Sequence, residues 1–150
     1  MKKIAILFFI SVALLTIKAH AQMEDPVHWN YGAKKINAGE AILFVKATIE
    51  DGWHIYSAYQ PAGGPVKTSF QFAASKEYAL IGKIAEPTPV TKYEKSFSMN
   101  VMFFQKEVIF QQKIKLKKDQ VTVKGSLNFM TCNDKKCLPP DDVEFNIPVH

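Results

Sequence analysis

Hydrophobic and polar residues alternate along most of this chain, a pattern typical of β-strands that have one buried face. Leu43 and Val45, for example, fall on one face of residues 41–49, whereas Lys46 and Thr48 fall on the other. Short runs rich in glycine, proline, asparagine or aspartate separate such segments, as turns do. The pattern predicts strands over residues 27–31, 41–49, 53–59, 68–72, 78–84, 99–104, 107–116, 121–129 and 143–149.

These short strands predict an all-β domain, because no segment shows the period of an amphipathic helix. About eight or nine strands in a domain of this size favour an immunoglobulin-like β-sandwich of antiparallel strands, with a closed barrel as the second choice. Residues 86–98 interrupt the pattern, since they carry Pro87 and Pro89 and lack alternation. We interpret this segment as a long loop, and structureless loops of about 12 residues or more are often functional lids.

Residues 1–21 are predicted to be a secretory signal peptide. A basic start precedes an apolar run over residues 4–15, and Ala19 and Ala21 are small residues of the kind that a signal peptidase reads. The apolar run is too short for a permanent membrane-spanning helix, which needs about 20 residues. We therefore expect residues 22–150 to form one soluble domain in the periplasm.

The charge of the chain argues against a nucleic-acid partner. The formal net charge is +5, but three lysines fall within the predicted signal peptide, so the mature domain would carry only +2. The chain contains no arginine, the residue that dominates bidentate contacts to phosphates and guanine. The other lysines are scattered through the alternating segments, as expected for a solvated face.

The two cysteines, Cys132 and Cys137, have four residues between them and lie in a hairpin-like connection between the last two predicted strands. Such a pair in an exported protein is compatible with a structural disulfide, a metal site or a redox centre. Closing so small a ring would stabilise the fold by only about 2 kcal/mol, against more than about 4 kcal/mol for a very long loop. The structural interpretation is therefore the weaker one, although it stays open.

The charges inside the loop favour redox chemistry. Thiol–disulfide exchange requires a thiolate, and nearby cations lower the pKa of a cysteine. Lys135 and Lys136 lie between the two cysteines and are partly opposed by Asp134. A redox-active pair is therefore our preferred interpretation.

A metal site has less support from the sequence. Zinc would need two further ligands, and His28, His54 and His150 do not have zinc-finger spacing. Copper(I) prefers soft sulfur ligands and could combine both cysteines with a methionine. The candidates are Met99, Met102 and Met130. Methionines at strand positions are more often core residues, so we expect no metal and no other cofactor.

Three more side chains each have a functional and an ordinary interpretation. His54 could handle protons beside the cysteines, but a single histidine in a strand is more often a surface residue. Tyr56 is expected in the core or at the rim of the sandwich. Phe97 either covers the sulfur atoms or anchors its loop.

The segment around the cysteines resembles a known family. Residues 129–140, Phe-Met-Thr-Cys-Asn-Asp-Lys-Lys-Cys-Leu-Pro-Pro, are similar to the N-terminal periplasmic domain of the thiol:disulfide interchange protein DsbD, and most of all to its Bacteroidetes-type version. The likeness extends to residues 51–57 (Asp-Gly-Trp-His-Ile-Tyr-Ser), to residues 63–65 and to residues 86–102. It covers essentially the whole mature chain, and the cysteine loop followed by two prolines is its most specific part.

The resemblance implies a thiol:disulfide oxidoreductase with an immunoglobulin-like fold, which passes reducing equivalents through Cys132 and Cys137 to periplasmic clients. Such clients include disulfide isomerases and thioredoxin-like proteins of cytochrome c biogenesis. Phe97 matches a cap residue that covers the pair and moves aside for a partner, and His54 and Tyr56 match residues that line the site. By the same analogy, Cys137 attacks the client.

Two departures from the best-studied proteobacterial pattern concern the site. That pattern has one more residue between the cysteines, and it has acidic residues where Lys95 and Ser96 precede Phe97 here. In the family, electrons come from a transmembrane domain. Because the chain ends at His150, directly after the last predicted strand, we expect the electron donor to be a separate membrane protein.

Overall fold

The structure of the protein, a computed structural model, describes residues 24–150. The predicted signal peptide, residues 1–21, lies outside the described residues. The described chain forms eleven strands: β1 (Val27–Asn37), β2 (Glu40–Ile49), β3 (His54–Tyr56), β4 (Ser69–Phe72), β5 (Tyr78–Ala85), β6 (Val90–Glu94), β7 (Met99–Phe104), β8 (Glu107–Leu116), β9 (Val121–Phe129), β10 (Thr131–Cys132) and β11 (Asp141–Val149). From residue 24 onward, no helix long and apolar enough to cross a membrane occurs.

The strands pair antiparallel in three sheets. The first sheet has the order β1-β2-β8-β5, the second β11-β9-β4 and the third β10-β3-β7-β6. The ring centroid of Phe70 on β4 of the second sheet lies 5.0 Å from that of Phe110 on β8 of the first, so these two sheets pack against each other. The prediction of an all-β, immunoglobulin-like sandwich of antiparallel strands is confirmed.

The main core lies between the sheets, because alternate residues of the facing strands are apolar. Phe110 of β8 is fully buried, and the ring centroid of Trp29 lies 6.3 Å from that of Phe110 and 5.2 Å from that of Phe129. The buried residues of β2 are those of the predicted face, namely Ala41, Leu43, Val45, Ala47 and Ile49. The alternation in the sequence therefore predicts the core face of this strand correctly.

The prediction of an unbroken loop over residues 86–98 is wrong, because β6 lies within it. Strand β6 forms the edge of the third sheet and pairs only with β7. Most of its residues are exposed, and Tyr93 is 58% exposed, so the sequence shows no alternation there. Strand β10 was also not predicted, since two residues are too few to show a pattern.

The cysteine loop connects two sheets. Strands β9 and β11 pair along their whole length, from Val121 opposite Val149 to Phe129 opposite Asp141. The intervening residues 130–140 leave the second sheet and contribute β10 to the third, where it pairs with β3. The predicted hairpin-like connection is therefore present, and it places the cysteines on the third sheet.

Candidate functional site

Cys132 and Cys137 form a disulfide, with their Cα atoms 4.0 Å apart. A compact turn holds the two residues opposite each other. The side-chain oxygen of Asn133 accepts hydrogen bonds from the backbone N–H groups of Lys135 and Lys136, each at 2.9 Å. The Asn133 N–H donates to the Lys136 carbonyl at 2.9 Å. This local network arises because an asparagine side chain readily caps its own turn.

The two cysteines differ sharply in exposure. Cys132 lies in β10 and is only 2% exposed, whereas Cys137 is exposed after the turn. Strand pairing explains the burial, since Cys132 lies opposite His54 and the neighbouring Thr131 lies opposite Ile55. Only Cys137 is therefore open to the sulfur of a second protein.

The third sheet has two buried faces. Ile55 of β3 and Phe104 of β7 lie opposite each other and belong to the main core. The adjacent pair, Tyr56 and Phe103, points to the other face because side chains alternate along a strand. That face carries a small separate cluster of four buried residues, which we call the outer cluster: Tyr56, Val101, Phe103 and Cys132.

A cleft of about 420 Å³ lies over the outer cluster. Every site residue predicted from the sequence lines this cleft: His54, Tyr56, Phe97, Cys132, Asp134, Lys135, Lys136 and Cys137. These residues come from β3, from the turn after β6 and from the cysteine loop. The structure thus brings together segments that are far apart in the sequence.

Phe97 partly covers the outer cluster from the turn that joins β6 to β7. Two backbone hydrogen bonds hold this turn, from the Phe97 N–H to the Glu94 carbonyl and from the Ser98 N–H to the Lys95 carbonyl, each at 3.2 Å. Phe97 itself is half-buried, and Met99 and Met130 pack against the same cluster. Part of the cover over Cys132 is therefore supplied by a surface turn.

Burial changes the acid–base properties of the cleft. It lowers the pKa of His54 below the usual 6.5, and the negative charges of Asp134 and Glu94 only partly oppose it. Burial also raises the pKa of Tyr56 to about 12, and Glu94 adds to this effect. His54 Nε2 and Tyr56 Oη form a hydrogen bond of 3.1 Å. At neutral pH, His54 is therefore a neutral imidazole and Tyr56 a protonated phenol.

The lysines of the cysteine loop are not equivalent. Lys136 Nζ forms an ion pair with Glu24 Oε2 at 2.6 Å, on the N-terminal segment. Lys135 and Asp134 are exposed at the rim of the cleft. Part of the positive charge predicted to favour a thiolate is thus neutralised by a carboxylate that precedes β1.

Sequence reasoning missed several lining residues, above all Glu94 and Lys92 of β6 and Phe103 of β7. The two charged residues stand two positions apart and face the cleft together, as alternate residues of a strand do. Because residues 86–98 were interpreted as a loop, this shared face could not be predicted. The sequence did contain one signal for Glu94. It lies only three residues before Phe97, the predicted cap residue, and could therefore be expected near the same site.

The methionines and histidines fall into different surroundings. Met99 and Met130 lie beside the cluster that contains Cys132, whereas His28 is exposed on β1, away from the cleft. Among residues 24–150, no group of three or more histidine, cysteine, aspartate or glutamate side chains is arranged to hold a metal ion.

Comparisons with known proteins identify the family. Residues 21–148 match the family model for the N-terminal part of the thiol:disulfide interchange protein DsbD. No curated protein matches the chain. The Bacteroidetes-type version remains a prediction.

Three solved structures share the fold. The N-terminal periplasmic domain of ScsB from Proteus mirabilis has a TM-score of 0.61 at 21% identity, and the match covers 82% of this chain and 46% of that one. The chain thus spans about half the length of that structure. The reduced DsbD N-terminal domain from Neisseria meningitidis has a TM-score of 0.50 at 20% identity, covering 77% of this chain and 81% of that one.

A third structure contains the DsbD N-terminal domain of Neisseria meningitidis in complex with the PilB N-terminal domain. It matches with a TM-score of 0.54 at 17% identity, over 83% of this chain and 87% of that one. At such identities these structures support the fold, while the family model covers nearly the whole sequence. The chain therefore belongs to the family of DsbD N-terminal domains.

Proposed function

We propose that this protein passes reducing equivalents through Cys132 and Cys137 to thioredoxin-like client proteins in the periplasm. The observation that carries the proposal is the asymmetry of the disulfide: Cys137 is exposed, whereas Cys132 is buried at the floor of a cleft partly covered by Phe97. A structural disulfide requires neither an exposed sulfur nor such a cleft. Membership of the DsbD family supports the same reaction.

The reaction takes place in two exchange steps. In the first, the Cys137 thiolate attacks a client disulfide, which forms a bond between Cys137 and the client and releases the other client sulfur as a thiolate. In the second, the Cys132 thiolate attacks Sγ of Cys137, which restores the internal disulfide and releases the second client thiolate. Two electrons pass to the client, and each of its sulfurs takes up a proton.

Phe97 acts as a cap in this scheme. Its turn is on the surface, so a client can displace it without disturbing the main core. With the turn in place, Phe97 shields the outer cluster from small oxidants and thiols. Client binding and uncovering of Cys132 are therefore coupled.

The family also suggests where the protein acts and what re-reduces its disulfide. In this proposal, residues 22–150 form the exported domain after removal of residues 1–21, and a membrane-embedded electron donor re-reduces its disulfide. The complex between a DsbD N-terminal domain and the PilB N-terminal domain supports a protein, rather than a small molecule, as the partner of this fold.

Trapping of mixed disulfides tests the proposal. Cys132→Ser keeps the attacking sulfur and lacks the resolving one, so it should accumulate covalent complexes with client proteins in periplasmic extracts. Cys137→Ser is the matched control, because its remaining thiol is buried, and it should trap far fewer proteins. Failure of both variants to trap any client would contradict the proposed function.

A further inference from the structure

The second exchange step requires a proton acceptor. Cys132 reacts only as a thiolate, yet it is 2% exposed beneath the cleft. Bulk water therefore has little access to its proton, which favours an acceptor among the side chains that line the cleft.

We propose that His54 is this acceptor: its imidazole takes the proton of Cys132 as that sulfur attacks Cys137, and passes it to the departing client thiolate. The inference rests on the proposed exchange function and assigns one further residue to it. No electrons pass through His54, which carries the proton alone.

Strand pairing places His54 beside Cys132. The two residues lie directly opposite each other in the β10–β3 ladder. Directly opposed residues of antiparallel strands point to the same face, with Cβ atoms about 4.5–5.5 Å apart. Both residues line the cleft, and the ring centroid of His54 lies 5.0 Å from that of Phe103 on its floor.

Tyr56 positions the imidazole. It lies on the same face two residues along β3, and its hydroxyl forms the 3.1 Å hydrogen bond with Nε2. When Nε2–H donates to the tyrosine oxygen, Nδ1 keeps its lone pair. In this tautomer, Nδ1 is the ring atom that can accept the thiol proton.

The other charged and titratable groups of the cleft are poorer acceptors. Tyr56 stays protonated because its pKa is raised to about 12. The lysines of the cleft, Lys92 of β6 and Lys135 and Lys136 of the cysteine loop, carry ammonium groups that have no lone pair to offer. Glu94 of β6 and Asp134 of the cysteine loop also face His54, but neither lies directly opposite Cys132 in a strand ladder, as His54 does.

An aromatic disulfide such as Ellman's reagent separates the two steps. Attack by Cys137 on the reagent releases one thionitrobenzoate, and resolution by Cys132 releases the second. In His54→Gln, the second release should slow by at least about tenfold at neutral pH, as expected for loss of a general base. His28→Gln, which alters an exposed histidine of β1 outside the cleft, should leave both releases at the wild-type rate.

The pH profile distinguishes proton transfer from a structural role. In the wild type, the rate of the second release should rise with pH through the pKa of His54. In His54→Gln, this rise should move to higher pH, because the thiol of Cys132 must then lose its proton without the imidazole. Tyr56→Phe, which keeps the ring and the histidine, should slow the second release less than His54→Gln does.

A wild-type rate and pH profile for the second release in His54→Gln would overturn this inference. Trapping by Cys132→Ser does not involve proton transfer to His54, so the two proposals fail separately. If clients are trapped but the second release in His54→Gln is unchanged, only the role of His54 is contradicted. Absence of trapped clients would remove the exchange function itself.

Discussion

The two faces of the third sheet differ in what they bury. On the inner face, Ile55 and Phe104 join one large apolar core between the sheets. On the outer face, Tyr56 and Phe103 join a cluster of four residues that includes Cys132 of the disulfide. Each of these four side chains is at most 8% exposed, yet the inner face is closed by whole sheets and the outer face partly by a turn.

Residues that stabilise the main core and residues beside the disulfide therefore lie next to each other on the same strands, but on opposite faces of the sheet. The inner face packs into the main core, which strands of the other two sheets help to form. The outer face keeps Cys132 away from water, and part of its cover, Phe97, belongs to a surface turn. In the proposed exchange reaction, the disulfide would therefore open and reform while the main core stays intact.

The largest expected effect compares neighbouring phenylalanines on the two faces. Phe104→Ala should lower the free energy of unfolding by about 3–5 kcal/mol, because it leaves a cavity in the main core. Phe103→Ala should lower it by clearly less, since the cover of the outer cluster can collapse into the space. Urea denaturation of the oxidised proteins measures both values. Equal losses would show that the outer cluster contributes as much packing energy as the main core.

A smaller effect is expected when the disulfide is reduced. The closed ring is short, so reduction should lower the free energy of unfolding by no more than about 2 kcal/mol, and the domain should stay folded. Urea denaturation with and without dithiothreitol tests this expectation. Unfolding upon reduction, or a reduction potential well below about −300 mV, would instead indicate a structural disulfide.

The cap can be removed with little loss of stability. Phe97→Ala should raise the rate at which iodoacetamide alkylates the reduced cysteines severalfold, while the free energy of unfolding falls by less than about 2 kcal/mol. Tyr93→Ala is the matched control, because this aromatic residue of the same hairpin is 58% exposed and lies outside the outer cluster. An alkylation rate that Phe97→Ala does not change would make this residue a simple anchor of the turn.

The smallest expected effect is a dependence of stability on pH. Burial lowers the pKa of His54 in the folded state below its usual value of 6.5, so the unfolded chain binds the proton more readily. Stability should therefore be complete above pH 6.5 and fall as the pH drops through the folded pKa. His54→Gln should remove this part of the pH dependence, as measured by urea denaturation above and below pH 6.5. A variant with an unchanged pH dependence would show that the buried imidazole does not titrate in this way.

The resemblance to the DsbD family pointed to more of the residues that line the cleft than the hydrophobic pattern did. Phe97 and Tyr56 have no chemical feature that would connect them to cysteines far along the chain. Their match to a known motif grouped them with the cysteines, and the structure places all of them around one cleft. Glu94 and Lys92 have no match of this kind, and they were missed because an edge strand with two solvated faces shows no alternation.

The sequence by itself determined the all-β class, nearly all of the strands and the position of the cysteine loop. These properties depend on alternation, turn residues and spacing, which are local. Only the tertiary structure decided that Cys132 is buried and Cys137 exposed, and that His54 lies opposite Cys132. Those relations depend on the pairing of β10 with β3, β3 with β7 and β7 with β6. Pairing between strands that are distant along the chain leaves no local signal in any of them.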